Sequence, residues 1–388
     1  MSERVVDPSG RGFLLLDAHP TGCFESVARM RAEAGVAPEG PGEGPVALII
    51  GATAGYGLAA TVAGLVRHGI RGVGIGFERP AGRRTATAGW YRAIATDRLA
   101  RELGRDFVFR NGDAFADQTK TEILDLLAER FGGVDYLIYS VAAPRRTDPG
   151  TGVTYQSVIK PLGGVHTTRT LEFDRDGEPA LREVSAEPAS PDEAAATVKV
   201  MGGEDWALWV RALAGRGLLR DGFRTVALSY IGSDLTSAIY RAGTIGAAKA
   251  HLEATAVELD RLPGVSALTS VNGAAVTQAS TAIPGIALYV SLLREVLGDR
   301  LQSPVEQSVQ LWDQLTGAAP FDLDEAGRIR LDRWELDRDV QARVAKRWTT
   351  TMGDVGWFRS QFRGLYGFDV PGVDYRRPVE VELPWPAM

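Results

Sequence analysis

The chain has 388 residues, 45% of them hydrophobic, and a formal net charge of -6. That length supports a large buried core, and the acidic balance lacks the basic surplus that nucleic-acid binding requires. The arginine pairs Arg83-Arg84, Arg145-Arg146 and Arg376-Arg377 read as solvated faces. Cys23 is the only cysteine, so no intrachain disulfide can form and a reducing cytoplasm is the expected compartment. His19, His68, His166 and His251 are scattered without ligand spacing, which argues against a metal site. The opening residues carry no apolar signal-peptide run, and no stretch of about eighteen apolar residues is present to span a membrane.

Val46–Ile50 is a continuous apolar run closed by a glycine, which predicts a strand buried on both faces of a parallel sheet. Gly51-Ala-Thr-Ala-Gly55-Tyr-Gly57 follows, then a small-residue helix to about His68, stopped by Gly69. A second apolar run, Gly72–Phe77, ends at Glu78, and a third short strand, Phe107–Phe109, leads into Asn111-Gly-Asp113. An amphipathic helix over roughly Gln118–Phe131 precedes a fourth strand, Val134–Ser140. This alternation predicts an α/β fold, a Rossmann-type doubly wound parallel sheet. From about 145 to 222 the chain is polar and rich in Gly, Pro and Thr, with helices expected near Pro191–Val200 and Trp206–Ala214. Strands resume at Thr225–Tyr230 and Val265–Ser270. The expectation is a single catalytic domain over 1–388. Its Rossmann core is 46–145 and 222–285, with an N-terminal extension (1–45), an insertion (146–221) and a C-terminal helical cap (286–388).

The Gly51-x3-Gly55-x-Gly57 spacing is the looser short-chain-dehydrogenase form of a dinucleotide fingerprint. A glycine-rich turn between strand and helix lets backbone N–H groups approach a pyrophosphate, which the helix N-terminus favours electrostatically. Glu78 closes the next strand 21 residues after Gly57. A carboxylate there accepts hydrogen bonds from the adenosine ribose and repels a 2′-phosphate, so NADH is expected over NADPH, although Arg79, Arg83 and Arg84 lie close behind. Asp113 stands where this fold contacts the adenine ring, and the Ser140-Val141-Ala142 turn where the backbone passes under the cofactor; ordinary strand-end turns are the competing reading.

After the fifth strand come Ser229-Tyr230-Ile-Gly232 and, further on, Tyr240-x8-Lys249. In short-chain oxidoreductases a tyrosine hydroxyl donates to the substrate oxygen, while a nearby lysine binds the nicotinamide ribose and lowers the tyrosine pKa. On one continuous helix, nine steps of about 100° would put Tyr240 and Lys249 on opposite faces. The two converge only if Tyr240 precedes the helix, and Gly243-Thr244 supplies the break, with Thr244 as the expected N-cap. A core tyrosine and a solvent-facing lysine are the bland alternative on spacing alone.

At these residues the chain resembles the family of trans-2-enoyl-CoA and enoyl-acyl-carrier-protein reductases. The likeness runs through Arg11-Gly-Phe13, His19-Pro-Thr-Gly-Cys23, Gly51–Gly57, Phe77-Glu78-Arg-Pro80 and Thr87-Ala-Gly-Trp-Tyr91. It continues through Asn111–Phe115, Tyr139-Ser140, Lys199–Trp206, Ser229–Gly232, Tyr240-x8-Lys249, Val276–Ser280 and Tyr366–Tyr375. The resemblance implies NADH contacts at Gly51, Ala52, Thr53, Ala54, Gly55, Tyr56, Phe77, Glu78, Asp113, Ala114, Val141, Ala142, Lys249, Ala275, Val276 and Thr277. It implies that Tyr230 contacts the enoyl thioester, that Tyr240 is the catalytic acid, and that the protein is a monomer acting on enoyl-CoA or enoyl-acyl-carrier-protein. Thr236-Ser-Ala-Ile-Tyr240 departs from the family's usual Thr-Trp-Pro-Ile-Tyr, Ala250 replaces a frequent second lysine, and 151–190 diverges; these bear on acyl length and carrier. A carbonyl reductase of the ordinary short-chain type would carry a serine donor ahead of a Tyr-x3-Lys pair, which is absent. A non-catalytic NADH-binding regulator would have no reason to keep both Tyr240 and Lys249.

Overall fold

The computed structural model describes residues 3–11, 14–36, 44–173, 178–278 and 283–387. Gly12, Phe13, Ala279 and Ser280 of the quoted motifs lie outside these. At the centre is a seven-stranded sheet: β1 (Val46–Ile50), β2 (Arg71–Gly76), β3 (Phe107–Asn111), β4 (Val134–Tyr139), β5 (Leu219–Ser229), β6 (Ser266–Val271) and β7 (Ile329–Arg330). The strand order is 3-2-1-4-5-6-7 and every pairing is parallel. The order reverses between β1 and β4, the switch point where such sheets hold ligands at the carboxyl ends of their strands. β7 falls in the segment read as helical from sequence; two residues are too few to show a strand period.

Residue alternation in β1 divides the core in two. Val46, Leu48 and Ile50 face a cluster with Ile123, Leu127, Trp206, Trp209, Leu213, Leu252 and Leu259. These come from helices α4 (Asp117–Leu126), α6 (Glu204–Gly215) and α8 (Thr244–Leu259), and from the π-helical turn Leu127–Phe131 that continues α4. Ala47 and Ile49 face Ala60, Leu65, Ala93, Leu311, Trp312 and Leu315. This second layer is α2 (Gly55–Ala63, extended by a π-helical turn Gly64–His68), α3 (Ala88–Glu102) and α10 (Pro304–Thr316). Gly69 ends the α2 segment in the left-handed region at φ 61°, as expected. Trp312 donates its Nε1 proton to the Ala60 carbonyl at 2.7 Å, and a Cβ on Gly64 would overlap its ring. Removing so large a buried side chain costs about 3–5 kcal/mol.

The polar stretch contains the expected α5 (Pro191–Met201), opened by a Ser190–Glu193 capping box. It also contains an unanticipated antiparallel hairpin, His166–Phe173 with Pro179–Ala186. Both strands are mostly half-buried, and the first is threonine-rich, so no clean hydrophobic alternation announces them. A third cluster joins α9 (Ile286–Leu297), α11 (Arg338–Arg347) and α12 (Val355–Gly364) to Leu171, Ile239 and Tyr240. The motifs at the two ends of the chain meet. His19 caps α1 (Pro20–Ala34), accepting from the Gly22 N–H, and lies edge-on to Tyr375 at 4.8 Å. Gly22 packs so closely on the Gly367 carbonyl that a Cβ would overlap it. No described helix is long and apolar enough to cross a membrane.

Candidate active site

The turn after β1 carries the glycine loop. Gly51 adopts φ +87° and lies under the Ser140 carbonyl, where a Cβ would collide; Gly57 lies equally close to the Gly51 carbonyl. Gly55, at φ +53°, opens α2, and its N-cap Ala54 supplies no side-chain acceptor to the first-turn N–H groups. The nearest atom to a Cβ on Gly55 would be Thr277 Cγ2 at 3.8 Å, so the loop after β6 borders the glycine loop. Tyr56 ties the two together, its hydroxyl donating to the Gly273 carbonyl. An uncapped helix N-terminus beside two close-packed glycines fits a pyrophosphate.

Glu78, just past β2, is half-buried against the start of α3. Thr53 Oγ1 donates to its Oε1 at 2.5 Å, and the Thr87 hydroxyl donates to Oε2. A Cβ on Gly89 would overlap the carboxylate, which explains the glycine in Thr87-Ala-Gly-Trp-Tyr91. Asn111 holds the Glu78 backbone from both sides, accepting from its N–H at 2.7 Å and donating to its carbonyl at 2.9 Å. Phe77 beside it is 75% exposed. The turn Asp113-Ala114 is held from below. Lys120 Nζ donates to the Ala114 carbonyl and pairs with buried Asp205 at 2.8 Å, while Tyr139 donates to the other Asp205 oxygen at 3.0 Å. Val141 packs on the core and Ala142 is exposed.

Tyr240 ends a four-residue helix, α7 (Ser237–Tyr240), that precedes α8, so the predicted break is present. Its placement differs in detail. Gly243 is the N-cap and Thr244 the first helical residue, because the Thr244 hydroxyl donates instead to the Val158 carbonyl at 2.5 Å and its N–H to the Lys160 carbonyl at 2.9 Å. A Cβ on Gly246 would overlap the Tyr240 carbonyl. Lys249 lies one turn beyond Gly246 on α8. The charges acting on Tyr240 are Glu335 and Tyr56 and the one acting on Lys249 is Glu253, so neither side chain acts on the other. Lys249 Nζ donates to the Leu228 carbonyl at 3.2 Å, and burial lowers its pKa to about 8 against the opposing pull of Glu253. Tyr240 is 6% exposed, and no described residue hydrogen-bonds its hydroxyl. Burial first, then the Glu335 carboxylate and Tyr56, push its pKa up. This corrects the expectation of a lowered value, since desolvation dominates. Such a group stays protonated and acts as a donor.

Tyr230 packs edge-on against Tyr240, ring centroids 4.6 Å apart at 79°. Gly232, at φ +76°, lies beside both rings, and a Cβ there would also crowd Thr236. The Tyr230 hydroxyl donates to Glu335 Oε1 at 2.7 Å, as does that of Tyr289 at 2.8 Å. Sequence reasoning missed Glu335, which stands in Asp332-Arg-Trp-Glu-Leu336 and looks like a solvated turn acid. The available signal was Tyr289, since a tyrosine inside the apolar run of α9 needs a buried acceptor.

Three family models tile the chain: "NAD(P)H binding domain of trans-2-enoyl-CoA reductase" over residues 5–83, "Trans-2-enoyl-CoA reductase catalytic region" over 84–316, and "Enoyl reductase FAD binding domain" over 323–379. The last segment shows no flavin-binding turn next to its strand. Between β7 and α11 it has no glycine-rich turn, and its Glu335 points into the tyrosine cluster. An enoyl-acyl-carrier-protein reductase (NADH) of Streptomyces avermitilis is 69% identical over 391 residues, covering 98% of this chain and 100% of the relative. One from Burkholderia pseudomallei is 45% identical over 392 residues, covering 97% of each. The crystal structure of Treponema denticola trans-2-enoyl-CoA reductase in complex with NAD superposes with a TM-score of 0.89 at 37% identity, covering 99% of this chain and 100% of that one. By model, relative and structure alike, the chain belongs to the trans-2-enoyl-CoA reductase family.

Proposed function

We propose that this chain is the NADH-dependent reductase of the trans-2 double bond of enoyl thioesters, with Tyr240 as the donor at the thioester oxygen. The carrying observation is Tyr240 itself: buried, protonated, its hydroxyl engaged by no described residue, and seated just before α8, the helix that carries Lys249. NADH, when bound, would supply the hydride that reduces the substrate β-carbon. The Tyr240 hydroxyl hydrogen-bonds the thioester oxygen, where negative charge develops as an enolate, and protonation at the α-carbon completes the reduction. A preorganised donor at such an oxygen supplies several kcal/mol. Lys249 holds the nicotinamide ribose, with the ammonium anchored on the Leu228 carbonyl.

For the cofactor, the α2 N-terminus and Gly51, Ala52, Thr53, Ala54, Gly55 and Tyr56 take the pyrophosphate; Phe77 and Glu78 take the adenosine ribose; Asp113 and Ala114 the adenine. Val141, Ala142 and the Ala275–Thr277 loop flank the nicotinamide half, and Tyr230 lines the acyl site. Glu78 with its two threonine donors supports NADH over NADPH. The names of the relatives support either carrier, coenzyme A or acyl carrier protein, and Ser237 and Ala238 support a widened acyl pocket. The chain works as one catalytic unit, with 46–145 and 222–285 as core and the 1–45, 146–221 and 286–388 segments as additions. The family likeness supports a monomer, and the single cysteine, buried and unpaired, supports a reducing cytoplasm. The test is NADH oxidation with crotonyl-CoA set against a simple ketone. Turnover of the thioester alone is expected; preference for the ketone would replace this reading with a carbonyl reductase.

A further inference from the structure

Glu335, wholly buried between β7 and α11, collects three donors from three distant elements. Tyr230 beyond β5 and Tyr289 on α9 both donate to Oε1, and the Ala274 N–H beyond β6 donates to Oε2 at 2.5 Å. Gln341 on α11 donates to the Tyr289 hydroxyl at 3.0 Å and to the Glu335 carbonyl at 2.6 Å. An ionised carboxylate only accepts, so both phenols must aim their O–H at it. Tyr230 then presents only lone pairs on its remaining side, whereas its edge-on neighbour Tyr240 keeps a free O–H. On the reading that Tyr240 donates to the thioester oxygen, we propose that Glu335 is a positioning residue for the reduction: it commits the Tyr230 hydroxyl away from that oxygen and holds the Tyr230 ring against Tyr240. With two competing donors the carbonyl would have two seats, only one of which sets the β-carbon for hydride addition; fixing one donor fixes the seat.

Burial raises the Glu335 carboxyl to about 7. The groups facing it are Tyr230, Tyr289, Tyr240, Tyr56 and Asp332, the last neutralised by Arg330 at 2.7 Å. A proton on Oε1 must be donated to one tyrosine, which then turns its own O–H outward. Turnover therefore falls as pH drops below about 7.

The test uses the full-length protein with NADH and crotonyl-CoA, comparing Glu335→Gln, Tyr230→Phe and the double variant. Glu335→Gln is expected to lower kcat about tenfold with NADH Kd within about twofold, and to lose the acidic limb of the pH profile. The double variant should be no slower than Tyr230→Phe, because residues acting through one another are non-additive. A Glu335→Gln variant with wild-type kcat, or penalties that multiply in the double variant, overturns the proposal. If Glu335→Gln does not fold, Tyr289→Phe serves: losing one donor moves the acidic limb to higher pH, and an unmoved limb overturns it. Tyr240→Phe, run alongside, tests the donor reading separately, since full turnover there sinks that reading whatever Glu335 and Tyr230 do.

Discussion

The adenosine half and the acyl half of this site are built in opposite ways. Gly51–Gly57, Glu78, Thr87, Asn111 and Asp113 lie within 63 consecutive residues, on three neighbouring strands and the turns that follow them. Tyr230, Tyr240, Ala274, Tyr289 and Glu335 come from five separate places and gather around one carboxylate, with Lys249 a turn into α8. Local construction makes the first half a set of turns with fixed spacing. Long-range construction makes the second half depend on burial, and burial shifts its titrations: Lys249 to about 8, Glu335 to about 7. In the adenosine half, Glu78 is only half-buried, with hydroxyl donors. Change in one half therefore need not disturb the other.

The largest effect that would break this contrast is on stability. Glu335 is lifted from 4.5 to about 7 in the fold, so between those pH values the folded chain holds a proton that the unfolded chain has released. The stability it contributes is full below about 4.5 and is lost as pH rises through about 7. Glu335→Gln lacks this titration. Across that window it should gain about 3 kcal/mol relative to wild type in denaturant unfolding, at about 1.4 kcal/mol per pH unit. Parallel stability curves would mean that the carboxyl titrates normally and that the acyl half is no more buried than the other. Next in size is chemistry: Tyr240→Phe should cost at least about a hundredfold in kcat, the scale of losing a general acid, with NADH affinity little changed. Near-normal turnover would remove Tyr240 from its role. Lys249→Met comes third and touches both halves, weakening NADH binding as well as turnover by about tenfold each. Unchanged cofactor affinity in a binding titration would place the ammonium away from the ribose.

How much of this was legible follows the same division. Val46–Ile50 and the glycine loop announce themselves because backbone approach and two-sided burial demand particular residues at adjacent positions. Tyr240-x8-Lys249 was legible only as a geometric problem: the spacing required a break, and Gly243 supplies it, although the capping role went to Gly243 rather than Thr244. Gly232 and Gly246 act at close approaches between segments that the sequence does not place together. The antiparallel pair His166–Phe173 and Pro179–Ala186 was hidden because mostly half-buried strands have no clean period to read. Glu335 could not be found by any local rule, since its three partners lie 105, 61 and 46 residues away.

The smallest effect tests the adenosine half on its own terms. Thr53 and Thr87 hold the Glu78 carboxylate at the start of α3, close against Gly89. A 2′-phosphate brought there meets like charge, with Arg79, Arg83 and Arg84 exposed to solvent nearby in sequence. NADH should therefore be preferred over NADPH by at least about tenfold, equivalent to about 1.4 kcal/mol. Glu78→Ala should erode that ratio mainly by improving kcat/KM with NADPH, as the three arginines become the nearest charges. Thr87→Val leaves the charge and removes one donor, so it should loosen the carboxylate and lower NADH affinity without inviting the phosphate. If the alanine variant keeps the wild-type ratio, or if the wild type prefers NADPH, the carboxylate does not face the ribose. In that case the two threonines serve only to pin the start of α3.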